Sequence, residues 1–109
     1  MSIKRWKTLY DDSAAGTGDW IALDVRYDDG SEARSIIVSM AAGDTVTLQG
    51  IVKDVKGIDK SFLDDLTAAD ITTLAEYTQD ERDLLVGPWT YIRVVKAGTA
   101  GAARVQGFV

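Results

Sequence analysis

The sequence predicts an all-β chain: an antiparallel β-sandwich, jelly-roll-like, folded as a single domain over residues 1–109. Three observations carry that expectation. Short stretches alternate apolar and polar residues with a period of two, as half-buried strands do. They recur at roughly ten-residue spacing with turn residues between them, the spacing of sandwiches and barrels. No strand–helix–strand rhythm interrupts them, so a parallel sheet is not expected.

The elements follow in order. Lys4–Tyr10 (KRWKTLY) reads as a short first strand with Trp6 and Tyr10 on one face. Asp11–Gly18 (DDSAAGTG) is a turn or loop, rich in residues that accept turn dihedrals. Trp20–Tyr27 (WIALDVRY) alternates cleanly, with Ile21, Leu23, Val25 and Tyr27 inward and Trp20, Asp24 and Arg26 outward. Asp28-Asp29-Gly30-Ser31 turns the chain. Ala33–Met40 is a strand with Ile36, Val38 and Met40 on one side, and Ala41–Asp44 is the next turn. Thr45–Lys53 follows, with Val46, Leu48 and Val52 inward and Thr45, Thr47 and Gln49 outward. Gly50 inside that strand signals a bulge or the close approach of another backbone.

Residues 54–83 are the least regular. Lys56–Asp59 looks like a turn, and Ser61–Leu66 places Phe62 and Leu66 under a loop. Thr67 and Asp70 spell a capping box, and Ile71, Leu74 and Tyr77 fall at helical spacing. Against this, Ile71-Thr72-Thr73 is a β-branched run, which loses side-chain freedom in a helix. The expectation is therefore a strand near Asp70–Tyr77, with room for a short helix within 60–78, then a charged loop over Gln79–Asp83. Gly87–Val109 reads as a hairpin, with Ala97–Gly101 (AGTAG) as its reversal. Ile92 and Val94 face in; Trp89, Tyr91 and Arg93 form an outward stripe. The expected core is Ile21, Leu23, Val25, Val38, Val46, Leu48, Ile92 and Val94.

Composition bounds the function. A 46% hydrophobic share suits one folded core. There is no cysteine, which excludes a disulfide framework, a thiolate metal site and a thiol nucleophile, and fits a reducing compartment. There is no histidine, the commonest general base and metal ligand. MSIKRWKTLYDDS has basic residues but no apolar run after them, so no signal peptide is expected. No apolar stretch approaches the roughly 20 residues of a membrane-spanning helix.

Charge is sorted along the chain. Residues 1–10 hold three bases and no acid, and residues 84–109 likewise hold three bases and no acid. Between them, 11–53 hold eight acids and three bases, and 54–83 hold nine acids and three bases. Nonspecific nucleic-acid binding does not fit a net charge of −5. A head-to-tail contact between a basic and an acidic face of identical copies does.

No catalytic motif is legible. The pairs Asp11-Asp12, Asp28-Asp29 and Asp64-Asp65 lack calcium-loop spacing and read as solvated turn residues. Gly16-Thr17-Gly18 lacks the Gly-Lys-Ser/Thr of a phosphate loop. Without histidine no Ser triad of the usual kind forms. No catalytic, cofactor-binding or metal residue is assigned. The constellation that stands out is Trp89, Tyr91 and Arg93, since aromatics and Arg are enriched at interface hot spots. Arg104, and on another strand Trp20 and Arg26, complete the candidate interface. Plain packing, or stacking on a sugar, are the other uses of such a stripe.

With Trp6, GTGDWIALDVRY at 16–27, GDTVTLQGIV at 43–52 and the closing GPWTYIRVVKAGTAGAARVQGFV at 87–109, the chain resembles small β-sandwich structural proteins of tailed bacteriophage virions. These jelly-roll-like modules decorate the capsid or sit at the head–tail junction or tail. The resemblance implies a non-enzymatic capsid decoration (cement) or head–tail component, without cofactor. It implies a homo-oligomer, often a trimer, that binds the major capsid protein or another virion protein and is assembled in the host cytoplasm. The same layout is similar to discoidin-type and other carbohydrate-binding sandwiches, which gives host-surface attachment as the alternative. The acidic stretch at 54–83 departs from many of those.

Overall fold

The computed structural model describes residues 5–23, 33–52 and 61–109. Its strands are β1 (Trp6–Asp12), β2 (Gly16–Thr17), β3 (Ile21–Ala22), β4 (Ala33–Ser39), β5 (Thr45–Ile51), β6 (Thr72–Tyr77), β7 (Glu81–Val86), β8 (Tyr91–Ala97) and β9 (Ala103–Phe108). One sheet runs β1-β9-β4-β7 and the other β2-β8-β5-β6, with β3 also on β8. Every pairing is antiparallel.

The pairing order has a simple origin. β1 pairs with β9, β2 and β3 with β8, β4 with β7, and β5 with β6. The first half of the chain thus lies along the second half in reverse, as one long two-stranded ribbon. The ribbon then curls so that β4 meets β9 and β5 meets β8. A ribbon curled this way is a jelly roll, an arrangement of two facing sheets. The expected all-β sandwich is therefore present.

Alternation supplies the core. Leu23, Val38, Val46, Leu48, Ile92 and Val94 are buried as expected, joined by Leu9, Ile36, Tyr77, Leu85, Ala103, Val105 and Val109. Ile21 is half-buried against this cluster. Val25 and Tyr27 lie outside the described residues, as do the turns at 28–31 and 56–59.

Several expectations need correction. Gly87–Val109 is not a hairpin: β8 and β9 belong to different sheets, and Gly98–Ala102 carries the chain between them. Period-two alternation reports which face is buried and is silent on which sheet a strand joins. The charged loop over Gln79–Asp83 gives way to strand from Glu81, because β7 pairs along β4 as a sheet edge where charge is tolerated. Trp6 and Tyr10 do not share a face, since the register shifts between Thr8 and Tyr10. Leu9 turns inward there, while Trp6 stays 52% exposed. Val52 is 53% exposed because β5 ends at Ile51. The strand over 70–77 is present as β6, preceded by short 3₁₀ turns at Ser61–Asp65 and Ala68–Asp70. Thr67 caps the second of these: its N–H and hydroxyl both donate to Asp70 Oδ2, at 2.9 and 3.1 Å.

The inter-sheet crossings are held at one end of the sandwich. Lys96 continues the inward series of Ile92 and Val94 and is 2% exposed. Its ammonium meets Asp44 Oδ2 at 3.2 Å and donates to Ser13 O at 3.0 Å and Gly98 O at 2.7 Å, so its three protons each have an acceptor. Asp44 also accepts from Ala100 N at 2.9 Å and Gly101 N at 3.2 Å. Ser13, Asp44 and Gly98–Gly101 belong to three separate crossings, β1–β2, β4–β5 and β8–β9. A fourth, β6–β7, joins through Asp80 Oδ1, which accepts from Met40 N at 2.7 Å. Gly98 has φ +96, and a methyl group there would collide with the Asp44 carboxylate. Beside this end, the Tyr77 hydroxyl donates to Asp83 Oδ2 at 2.8 Å, linking β6 to β7 across the two sheets. Burial, reinforced by that carboxylate, pushes the phenol pKa up. The two ends of the described chain also pair: Val109 N donates to Arg5 O at 2.9 Å and Arg5 N to Val109 O at 3.2 Å.

Two expected outcomes follow from this packing. Ile92 is fully enclosed, so Ile92→Ala is expected to lower stability by about 2–5 kcal/mol, the range for large-to-small core changes. Chemical denaturation reads this directly, and a loss below about 0.5 kcal/mol would contradict the assigned face. The Asp44 pKa is lowered from 3.8, first by the hydrogen bond from Ala100 and also by Lys96. A carboxylate depressed in the folded state contributes stability above its unfolded pKa, and loses it as pH falls through the folded value. Urea midpoints should therefore drop below the ordinary aspartate range near 3.8. Asp44→Asn should be less stable at neutral pH and fall less steeply in acid; parallel acid limbs for the two proteins would remove Asp44 from the account.

Candidate binding surfaces

The outer face of the five-stranded sheet carries two of the residues singled out above, Arg93 and Trp20. Arg93 is half-buried on β8, opposite Gln49 of β5. Its Nε donates to Gln49 Oε1 at 2.8 Å, and its guanidinium carbon sits 4.4 Å from the centre of the Trp20 ring. The plane of charge over an aromatic face is a cation–π contact. Burial pushes the Arg93 pKa down from the ordinary arginine value. The strand pairing of β3 with β8 is what brings Trp20, which precedes β3, to Arg93. Among the described residues no carboxylate pairs with Arg93.

The rest of the expected stripe is not outward. Tyr91, opposite Ile51 and Ala22, is 4% exposed. Trp89 precedes β8, is half-buried against the core, and donates from Nε1 to Val86 O at 3.2 Å. Its ring covers Gly50: a methyl group there would lie 3.2 Å from Trp89 Cε3 and 2.8 Å from Leu74 Cδ1. The close approach expected at Gly50 is thus made by two side chains instead of a backbone. The bulge expected there is a register shift against β6 between Leu48 and Gln49. Trp89 takes a packing role because it lies before β8's paired stretch and escapes its alternation, whereas Tyr91 is paired within β8 and is buried there. Arg104 stands on the other sheet, exposed beside Asp11. Arg26 lies outside the described residues.

The outer face of the four-stranded sheet holds a surface that the sequence reading missed. Trp6 pairs with Phe108, and Ser35 pairs with Leu84. Because Ile36 pairs with Gly107, Phe108 lies beside Ser35, and these four residues form one row across all four strands. Val86, opposite Ala33, extends the row at the β7 edge. Trp6 is 52%, Phe108 37%, Leu84 62% and Val86 55% exposed. The Trp6 and Phe108 rings meet at 5.4 Å, tilted by 58°. Beyond them come Thr8, Gln106, Ile37 and Arg82, then Asp11, Arg104 and Ser39. The signal available in the sequence was Leu84-Leu85-Val86: in a strand only one face of such a run enters the core.

Among the described residues, no group of three or more Asp or Glu is placed to hold a metal ion. Asp12 Oδ1 accepts from Ala14 N at 3.1 Å, a local turn bond. No helix of the described residues is long and apolar enough to cross a membrane. No family model matches the chain, and neither a curated protein nor a solved structure matches it.

The Arg93–Trp20 contact is open to a double-mutant cycle with Arg93→Ala and Trp20→Ala. The expected coupling is about 0.5–1 kcal/mol, the range for a partly exposed cation–π pair. Strict additivity of the two losses would mean that the ring and the guanidinium are merely adjacent.

Proposed function

We propose that this chain is a non-enzymatic assembly module whose copies associate through the outer face of the four-stranded sheet, and that it serves as a virion structural component of the capsid-decoration or head–tail type. The observation that carries the assembly reading is the exposed row Trp6, Phe108, Leu84 and Val86. Contiguous apolar surface on a folded chain marks an interaction site. The virion reading is supported by the jelly-roll order of the strands, an arrangement used in viral capsid domains and also in lectins.

The occupant of the row is a second copy. Although the chain carries a net charge of −5, the outward residues of this face hold Arg82 and Arg104 against Asp11. Two copies therefore meet there without the repulsion that their overall charge would impose. A row laid across a two-fold axis also falls on itself, so apolar meets apolar in an isologous contact. The trimer implied by the family resemblance is a separate expectation, and the head-to-tail contact of basic and acidic faces expected from the charge pattern uses a different surface. Sugar attachment is less favoured, because Arg93 occupies a face of Trp20 that a sugar ring would stack on.

Sedimentation velocity at high micromolar concentration tests the assembly reading. Wild type is expected as an oligomer and Leu84→Glu as a monomer, with Trp89→Ala assembling like wild type. A monomeric wild type, or an oligomer indifferent to Leu84→Glu, overturns it. Immunogold labelling of virus particles from the encoding culture tests the virion role; unlabelled particles would refute it.

A further inference from the structure

We infer that Arg93, Trp20 and Gln49 form a receptor for a single carboxylate, supplied by an acidic side chain of a partner polypeptide. Arg93 is held from two sides. Gln49 Oε1 takes the Nε proton at 2.8 Å, and the Trp20 ring supports the guanidinium at 4.4 Å. Among the described residues the two terminal amino groups donate to no partner and no acid pairs with the charge. Glu76 shares this outer face through its pairing with Thr47, and Asp19 precedes Trp20; both are exposed and neither bonds Arg93.

An arginine that is partly desolvated, fixed in orientation and without a counter-charge among the described residues presents a ready-made fork. The paired amino groups of a guanidinium match the two oxygens of a carboxylate. Much of the side-chain ordering that binding normally costs has already been met by Gln49 and Trp20. The flat, half-buried setting suits a side chain laid on a sheet, and Arg93 covers the ring face that a sugar would need. Thr47 and Thr73, beside Gln49 and on the same face by register, offer hydroxyls to the flanking peptide backbone. This receptor is on the opposite outer face from the apolar row, so it stands or falls independently of self-association.

The test uses the full chain carrying Leu84→Glu, and wild type in parallel. The Arg93 Nε–Hε and Trp20 indole N–H resonances are followed by NMR during titration with acetyl-Gly-Glu-Gly-amide. Acetyl-Gly-Gln-Gly-amide is the uncharged control, and galacturonate is the sugar acid. Both resonances are expected to shift saturably with the Glu peptide. The Gln peptide should bind at least about tenfold more weakly, since a charge-assisted hydrogen bond outweighs a neutral one by that order. Arg93→Lys keeps the charge and loses the fork, so it should lose the Trp20 response while its other resonances stay in place. No shift with the Glu peptide, equal shifts with both peptides, an undiminished response in Arg93→Lys, or tighter binding of galacturonate would each overturn the proposal.

Discussion

The buried Asp44–Lys96 pair is the constraint on which the rest of the structure depends. A sandwich made by curling one ribbon must cross repeatedly between its sheets, and each crossing exposes backbone groups that strands would otherwise satisfy. Here one ammonium and one carboxylate take up Ser13 from the β1–β2 crossing and Gly98, Ala100 and Gly101 from the β8–β9 crossing, and tie both to the β4–β5 crossing that carries Asp44. A buried pair of this kind is poor evidence of net stability, but removing either partner strands the other charge. Its stronger role is geometric. It fixes how β1, β5, β8 and β9 leave and enter their sheets, and so fixes which residues each outer face displays.

From that frame the two outer faces differ in kind. The four-stranded sheet presents a row of apolar side chains contributed by β1, β9 and β7, with Ser35 of β4 among them and charges in near balance beside it. The five-stranded sheet presents one positioned cation on an aromatic ring. Both surfaces combine residues distant in sequence, Trp6 with Phe108 and Trp20 with Arg93, and both owe their juxtaposition to the ribbon's reversed pairing.

This explains how much was legible in the sequence. Strand positions and inward faces could be read, because alternation is a local property: Val46, Leu48, Ile92 and Val94 fall where their period placed them. Pairing partners could not be read. β8 and β9 adjoin in sequence across a glycine-rich turn and look like a hairpin, yet the turn is a crossing. Lys96 falls in the inward phase of Ile92 and Val94, but nothing local announces the aspartate fifty-odd positions away that pairs with it there. In the candidate sites, Trp20, Arg93 and Arg104 were picked out by residue type, while Trp89 and Tyr91 were picked out for the same reason and serve packing. The apolar row was missed because its members are scattered over the chain and each alone is an ordinary exposed hydrophobe.

The paired ends carry a consequence for how the chain reaches this fold. Arg5 and Val109 bond each other's backbone, and β1 and β9 are neighbours although nearly the whole chain separates them. Their meeting carries the largest loop-closure entropy in the molecule, and topologies dominated by such distant contacts fold slowly. A circular permutant that joins 109 to 5 by a short linker would turn this most distant pairing into the most local one. Its contact order falls while the native interactions stay the same, so the altered connectivity acts on the folding rate far more than on the folded architecture.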